Sequence, residues 1–361
     1  MPPLPLAKAH PGSAPSEIAA TTSPAPIGLP RELRTFLLIN CTLWFLSLAK
    51  PLLLFARSRN VDSFDSIAMA NPFFDFYAYL SSVLNRHTAD LFTAPGFPWN
   101  YPAPSIFVYA FYYAVDRRGH IALFGFYCFL FTVGAILAFI MVRLAQRFAS
   151  YGLSGSTASG FLVLSLIFSW PIYFAIERGN IELLLWLGVA AGIWFYLRNQ
   201  WWLAAIFLGT TAAFKLYPIL CLALFLSARR FKELAAGVLT MVVVTLVSLA
   251  YLGPSIPYAF HATQIGVGHF VSMYTLKYDP LATGYDHSVF GIVKVIFLSH
   301  PAIYAFLLHR YMLSVALIMT VLFFWRIVRL PRPNQVLALV IATVLLPPTS
   351  FDYTLQSLYV P

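Results

Sequence analysis

A chain of 361 residues in which 60% are hydrophobic and only 10% are charged lacks the composition of a soluble domain, where charged residues make up about a quarter. Its formal net charge of +10 does not make it a nucleic-acid binder, because the lysines and arginines fall mainly at the ends of apolar segments, as the positive-inside rule requires. Apolar runs of about 20 residues, enough to cross a hydrocarbon core of about 30 Å, recur along the chain and predict an all-α polytopic membrane protein.

Residues 1–30 are rich in Pro, Ala and Ser and carry no apolar stretch behind a basic start, so they read as a disordered cytoplasmic tail, not a signal peptide. Residues 31–361 read as one transmembrane domain. Arg31 and Arg34 lead into a first span over 35–55, in which Lys50-Pro51 marks a kink or the outer end. The loop that follows holds Asp75 among aromatics, in Phe73-Phe74-Asp75-Phe76-Tyr77-Ala78-Tyr79. Apolar side chains recur there at helical spacing, which predicts an amphipathic helix over 72–86 lying on the membrane surface. Asp62, Asp65 and Asp90 are rival carboxylates of the same loop.

Residues 104–115 form a second apolar piece, but about 12 residues at 1.5 Å per residue reach only about 18 Å. It is read as another interfacial helix, and that choice fixes the topology. Spans over 120–142, 157–176 and 181–197 then place Arg143, Arg147 and Arg198 inside and Glu177-Arg178-Gly179-Asn180 outside. The apolar stretch 202–227 is interrupted by Lys215-Leu216-Tyr217-Pro218 and flanked on both sides by arginines. It therefore reads as a hairpin of two short helices with Lys215 near the outer apex, a break tolerated only where it lines a cavity or is buried in protein. Residues 234–252 go out, a long outer loop covers 253–301, 303–327 comes in to Arg326, Arg329 and Arg332, and 336–346 goes out to Pro347-Pro348. The expectation is a bundle of about nine to ten transmembrane helices with a short or truncated C-terminus.

Chemistry-bearing side chains gather on the outer side of this topology. A lone carboxylate at an aromatic interface is costly unless hydrated or paired, so Asp75 is either a general base or a helix-surface acid held by Trp or Tyr donors. Arg178 either grips a phosphate or pairs with Glu177 or Glu182. Lys215 either meets an anionic lipid phosphate or snorkels to the interface. The outer loop carries His261, His269, Lys277, Asp279 and the run Asp286-His287-Ser288, and the last outer carboxylate is Asp352, an anchor for loops or a sugar contact. Neither HExxH nor paired-Cys spacing occurs, and Cys41, Cys128 and Cys221 lie in apolar segments, so no metal or other cofactor is expected.

Taken in order, these motifs resemble glycosyltransferase family 87 of the GT-C superfamily. Asp75-Phe76-x-x-Tyr79 precedes Tyr101-Pro102-x-Pro104; Arg178-Gly179-Asn180-Ile181-Glu182, then Lys215 before Tyr217-Pro218, then 347–353 follow. The resemblance implies a GT-C-like bundle and a transferase that takes a sugar, commonly mannose, from a polyprenyl-phosphate donor on the periplasmic or extracellular side of the cell membrane. The family's catalytic Asp maps onto Asp75, and its helix-breaking Lys-x-x-Pro onto Lys215 and Pro218. On this reading Lys215, Arg178 and His287 hold the donor phosphate, while Tyr79, Tyr101, Asn180, Glu182, Asp286 and Asp352 contact substrates. Relatives often carry Asn-Gln-Ser where this chain has Asp286-His287-Ser288, a departure that bears on donor or acceptor preference. The expected partners are the lipid-linked sugar, a lipid or glycan acceptor and membrane lipids. The alternative is a lipid-linked-sugar flippase or secondary transporter, since charged groups at broken helices also mark transport sites. A transporter predicts an internal repeat and mid-membrane polar groups; the one-sided clusters and lack of a clear repeat favour transfer.

Overall fold

The computed structural model describes residues 38, 75–76, 92, 99–119, 124–149, 170–277, 286–297 and 299–359. These are helical, with no strand among the described residues beyond an isolated bridge between Asp286 and Phe351. The N-terminal tail, nearly all of the 35–55 span, Tyr79, Asp62, Asp65, Asp90 and Asp279 lie outside the described residues.

The helices are α1 (Ser105–Gly119), α2 (Phe124–Ala149), α3 (Trp170–Arg178), α4 (Glu182–Leu197), α5 (Trp201–Phe214), α6 (Ala223–Ser227), α7 (Phe231–Leu252), α8 (Ile256–Phe270), α9 (Val289–Ile296), α10 (Tyr304–Trp325) and α11 (Arg332–Leu345). Further 3-10 segments cover Tyr217–Leu222 and Asp352–Tyr359. The expected bounds shift at several ends. α1 runs to Gly119, and its 15 residues still reach only about 22 Å. α2 continues through Arg143 and Arg147, because arginine is a good helix former and its long stem need not end a helix. The expected outer loop 253–301 is itself largely helical. Its signals were present in the sequence: Ser255 caps α8 by accepting from the Tyr258 N–H at 3.4 Å, with Pro257 in the first turn.

Two described helical stretches are long and apolar enough to cross a membrane, Phe231–Leu252 and Pro301–Arg329. Only 17% and 11% of their apolar windows are buried. The core helix of a soluble protein would be mostly covered, whereas Leu239, Val247, Leu317 and Phe324 face outward. Such walls are stable against lipid and not against water. The other apolar stretches among the described residues run 10–17 residues, so two stretches there meet the length of a full span.

The hairpin is present and explains itself. The ring of Pro218 would collide with the carbonyl of Phe214, four residues back, so α5 ends there and Lys215 turns to extended backbone (φ −146°, ψ 141°). The return arm is a 3-10 stretch followed by one turn of α6. At about 2.0 Å per 3-10 residue, it covers nearly the same height, about 20 Å, as the longer α5. Both arms accordingly finish together, with the Arg230 guanidinium carbon 5.0 Å from the Trp201 ring. α5 packs against α7 at Gly209, where a Cβ would meet the Gly237 carbonyl oxygen at 2.2 Å. A side chain there would push the two helices apart.

Helix direction sorts the ends of the bundle. α4, α6 and α10 finish near Arg198, Arg229 and Arg326, while α5, α7 and α11 start at that same end. The opposite end holds Arg178, Glu182, Lys215 and the 347–352 turn. One buried core at that end is rich in aromatics (Phe76, Trp99, Tyr109); a second, around Leu208, Phe225 and Val340, joins the hairpin to α11.

Candidate active site

The site begins with the way α3 stops. Gly179 takes a left-handed backbone (φ 62°), its N–H bonds the Ile176 carbonyl at 2.9 Å, and the Asn180 N–H bonds the Ala175 carbonyl at 3.1 Å. This is the paired bonding of a Schellman C-cap. Glycine is required twice over, since a Cβ at Gly179 would also lie 2.7 Å from the Cβ of Phe76. The turn therefore lets the helical Asp75-Phe76 pair seat directly upon it.

Arg178, the last residue of α3, donates from Nε to Asp75 Oδ2 at 3.0 Å and from Nη2 to Oδ1 at 2.5 Å. Such a two-pronged pair fixes the plane of the carboxylate. Asn180 Nδ2 donates to the same Oδ2 at 2.7 Å and to the Tyr101 hydroxyl at 2.9 Å, while its Oδ1 accepts from the Glu182 N–H at 3.0 Å. Burial, followed by the fields of Tyr109 and Asp75, pushes the Tyr101 hydroxyl well above the usual phenol range despite the bond from Asn180. It is a neutral phenol at physiological pH.

Glu182 opens α4 and is fully buried; Lys215 Nζ and the Tyr217 hydroxyl both donate to its carboxylate. Lys215 also stands 5.0 Å from the centroid of the Tyr101 ring. The broken helix thus delivers its cation to the α3–α4 turn, and Tyr101 bridges the two ion pairs. Asp75 with Arg178 and Glu182 with Lys215 sum to no net charge, the condition under which buried charges are tolerated. Below them a half-open apolar groove of about 250 Å³ is lined by Val108 of α1, Ile181, Leu184 and Gly188, and Phe207 and Phe214 of α5. It reaches the chain neighbours of Glu182 and Lys215.

A second polar cluster ties the 286–288 segment to the 347–352 turn. Asp286 Oδ1 accepts from the N–H groups of Ser288 (3.0 Å) and Ser350 (2.9 Å), and its Oδ2 lies 3.2 Å from Lys294 Nζ. Lys294 is almost wholly buried and also donates to the Tyr274 carbonyl at 2.9 Å. His287 Nε2 bonds Asp352 Oδ1. That bond raises the His287 pKa, burial partly opposes it, and the charges of Asp352 and Asp286 add to the rise. The 3-10 segment starting at Asp352 packs on α3 and α4, so both clusters occupy one end of the bundle.

Among the candidate residues, Asp75, Arg178, Asn180 and Tyr101 come together, Glu182 joins Lys215, and Asp286, His287 and Asp352 form the second group. Arg178 and Lys215, expected on a phosphate, are seen on carboxylates. His261 and His269 lie on α8, which supplies none of the residues named in these two groups. Tyr217 and Lys294 were not anticipated. For Lys294 the signal existed, a single cation within Val289-Phe-Gly-Ile-Val-Lys294-Val-Ile296, as telling as the one that marked Lys215.

Fold and site together define an all-helical, lipid-facing protein with buried, charge-compensated carboxylates at one end. The chain belongs to glycosyltransferase family 87, whose sequence model matches residues 99–348. Arg178, Asn180, Glu182, Lys215 and His287 lie within that match; Asp75 and Asp352 lie outside it. Over 145 residues the chain is 28% identical to a polyprenol-phosphate-mannose-dependent alpha-(1-2)-phosphatidylinositol pentamannoside mannosyltransferase of Mycolicibacterium smegmatis (strain ATCC 700084 / mc(2)155). The aligned stretch is 40% of this chain and 33% of that relative, so the match spans about a third of the relative's length. No solved structure matches the chain significantly.

Proposed function

We propose that the chain is a membrane glycosyltransferase that moves a hexose, mannose in the first instance, from a polyprenyl-phosphate donor to a hydroxyl of a lipid or glycan acceptor, with inversion. The observation that carries this reading is the meeting of Asp75, Arg178 and Asn180 with Glu182 and Lys215, whose chain neighbours Ile181 and Phe214 line an apolar groove. Family membership and the donor named for the mycobacterial relative support it. The polyprenyl chain lies in the groove between α1, α4 and α5, which brings its phosphate to Lys215. The fold is a GT-C-like bundle of about nine to ten spans over 31–361, behind a cytoplasmic tail. The arginine-rich end faces the cytoplasm and the site the periplasmic or extracellular side, a sidedness that the positive-inside rule supports.

Asp75 is the general base. Its Oδ2 already accepts two bonds, whereas Oδ1 accepts one from Arg178, and a carboxylate oxygen has two lone-pair sites. Oδ1 takes the proton of the acceptor hydroxyl as that oxygen attacks the anomeric carbon. The bond from that carbon to the phosphate oxygen breaks, its electron pair stays with the phosphate, and the lipid phosphate leaves. Lys215, with Arg178 and His287, stabilises the charge that develops there. Tyr79, Tyr101, Asn180, Glu182, Asp286 and Asp352 shape the pocket for donor sugar and acceptor.

The test uses the full chain in lipid with a polyprenyl-phosphate sugar. Asp75→Asn keeps the shape of the side chain and should lower turnover by about 10²–10⁴-fold, the usual weight of a general base, while donor binding stays measurable. Undiminished turnover removes Asp75 from the mechanism.

A further inference from the structure

We infer that the opposite, arginine-rich end of the bundle is a binding site for the phosphodiester headgroup of an anionic membrane lipid. The guanidinium carbons of Arg230 and Arg332 each lie 5.0 Å from the ring of Trp201, so these two like charges stand within about 10 Å of each other, near the screening length of physiological salt. Arg198 adds a third cation on the neighbouring turn, 4.2 Å from the Trp194 ring. Among the described residues the acid paired with this group is Glu233, 3.9 Å from Arg230. Rings and the Asn199 side-chain oxygen, 2.6 Å from Arg332 Nη1, satisfy donors without cancelling charge. A cluster of this kind attracts a multivalent oxyanion, and a guanidinium fork matches the geometry of phosphate.

Backbone conformation points the same way. Arg229 holds a left-handed backbone (φ 56°), a region in which glycine would be unstrained and a long side chain is not. The turn accepts that strain while presenting one more cation beside Arg230. Three helices start at this end and three finish there, so their dipoles offset one another and the guanidinium groups make the site.

The flanks decide between a lipid and a free phosphate. Phe231, next in the chain to Arg230, exposes 62% of its surface; Trp202, next to Trp201, exposes 57%, and Trp325, beside Arg326 at the same end, 63%. Basic side chains beside outward-facing aromatics are the arrangement of a membrane interface, where headgroup and acyl chain are met at once. Inorganic phosphate would use the cations and leave the aromatics uncovered.

The experiment places the purified full chain in phosphatidylcholine nanodiscs, with and without phosphatidylglycerol, and follows thermal unfolding. Phosphatidylglycerol should raise the Tm of the native sequence by about 2–4 °C, and Arg230→Gln with Arg332→Gln should reduce that shift by at least half. Arg229→Gly, which relieves the backbone, should unfold no earlier in pure phosphatidylcholine and should also respond less to phosphatidylglycerol. An undiminished shift in both variants, or none in the native sequence, overturns the proposal. So does an equal shift from inorganic phosphate added to phosphatidylcholine discs. None of these residues belongs to the proposed catalytic group, so the outcome is independent of the transfer assay.

Discussion

The two ends of the bundle treat positive charge in opposite ways. At the site end Arg178, Lys215 and Lys294 each meet a carboxylate, on Asp75, Glu182 and Asp286. At the other end Arg198, Arg230 and Arg332 lie against tryptophan rings. Depth accounts for the contrast. A buried cation loses its hydration and must recover it from a fixed anion, whereas an exposed one keeps water or borrows a headgroup. The site end is therefore near neutral, suited to holding a carboxylate in one plane, and the arginine-rich end is electropositive.

The sharpest way to break this comparison is to remove a buried cation. Lys294→Met leaves Asp286 inside the fold without its partner. Breaking a buried pair in this manner costs about 3–5 kcal/mol, which should lower Tm by roughly 10 °C. Asp286→Asn combined with Lys294→Met should restore at least half of the loss, because the penalty comes mainly from the stranded charge. Thermal unfolding of both variants measures this directly. A single variant that unfolds like the native protein would mean that the site end is as wet as the other.

A smaller effect tests how the site end is built. Gly179→Ala puts a Cβ on a left-handed residue and against Phe76, 2.7 Å away. The backbone term alone is worth about 1–2 kcal/mol. Because Phe76 adjoins Asp75, transfer should fall by more than stability explains, and kcat should drop with little change in KM for donor. An alanine variant with native kcat would detach the α3 turn from the placing of Asp75.

What could be read from the sequence follows the same physics. Arg178, Glu182 and Lys215 stood out because charges in apolar surroundings are expensive, and the break at Lys215 was legible from Pro218. Partner choice was not. Nothing in the local pattern says that Arg178 turns to Asp75 and not to Glu177 or Glu182, or that Lys215 reaches back to Glu182. Those pairings depend on how far the turn at Gly179 brings distant segments together, which is a tertiary fact. Lys294 escaped for a different reason: it sits in a stretch taken as loop, where a lysine costs nothing, and only the helix Val289–Ile296 makes it a buried cation. The Asp75 segment shows the reverse case, since its candidate helix over 72–86 is described only at Asp75 and Phe76.

The smallest expected effect concerns His287, which lies between the two regimes: its side chain is 40% exposed while that of Asp352 is 5% exposed. The groups that face it are Asp352, Asp286 and, through Asp286, Lys294. Its pKa is raised from the ordinary 6.5, first by the bond to Asp352. A raised value means that protonated His287 contributes its full stabilisation below about 6.5 and loses it as pH climbs through the folded-state pKa. The Tm difference between the native sequence and His287→Gln should therefore be flat in mildly acidic buffer and shrink above neutrality. Asp352→Asn should flatten the profile, because the anion that holds the proton is gone. A difference that grows with pH would mean that the imidazole is neutral when bound, and would take His287 away from the donor phosphate, since only the protonated ring brings it a positive charge.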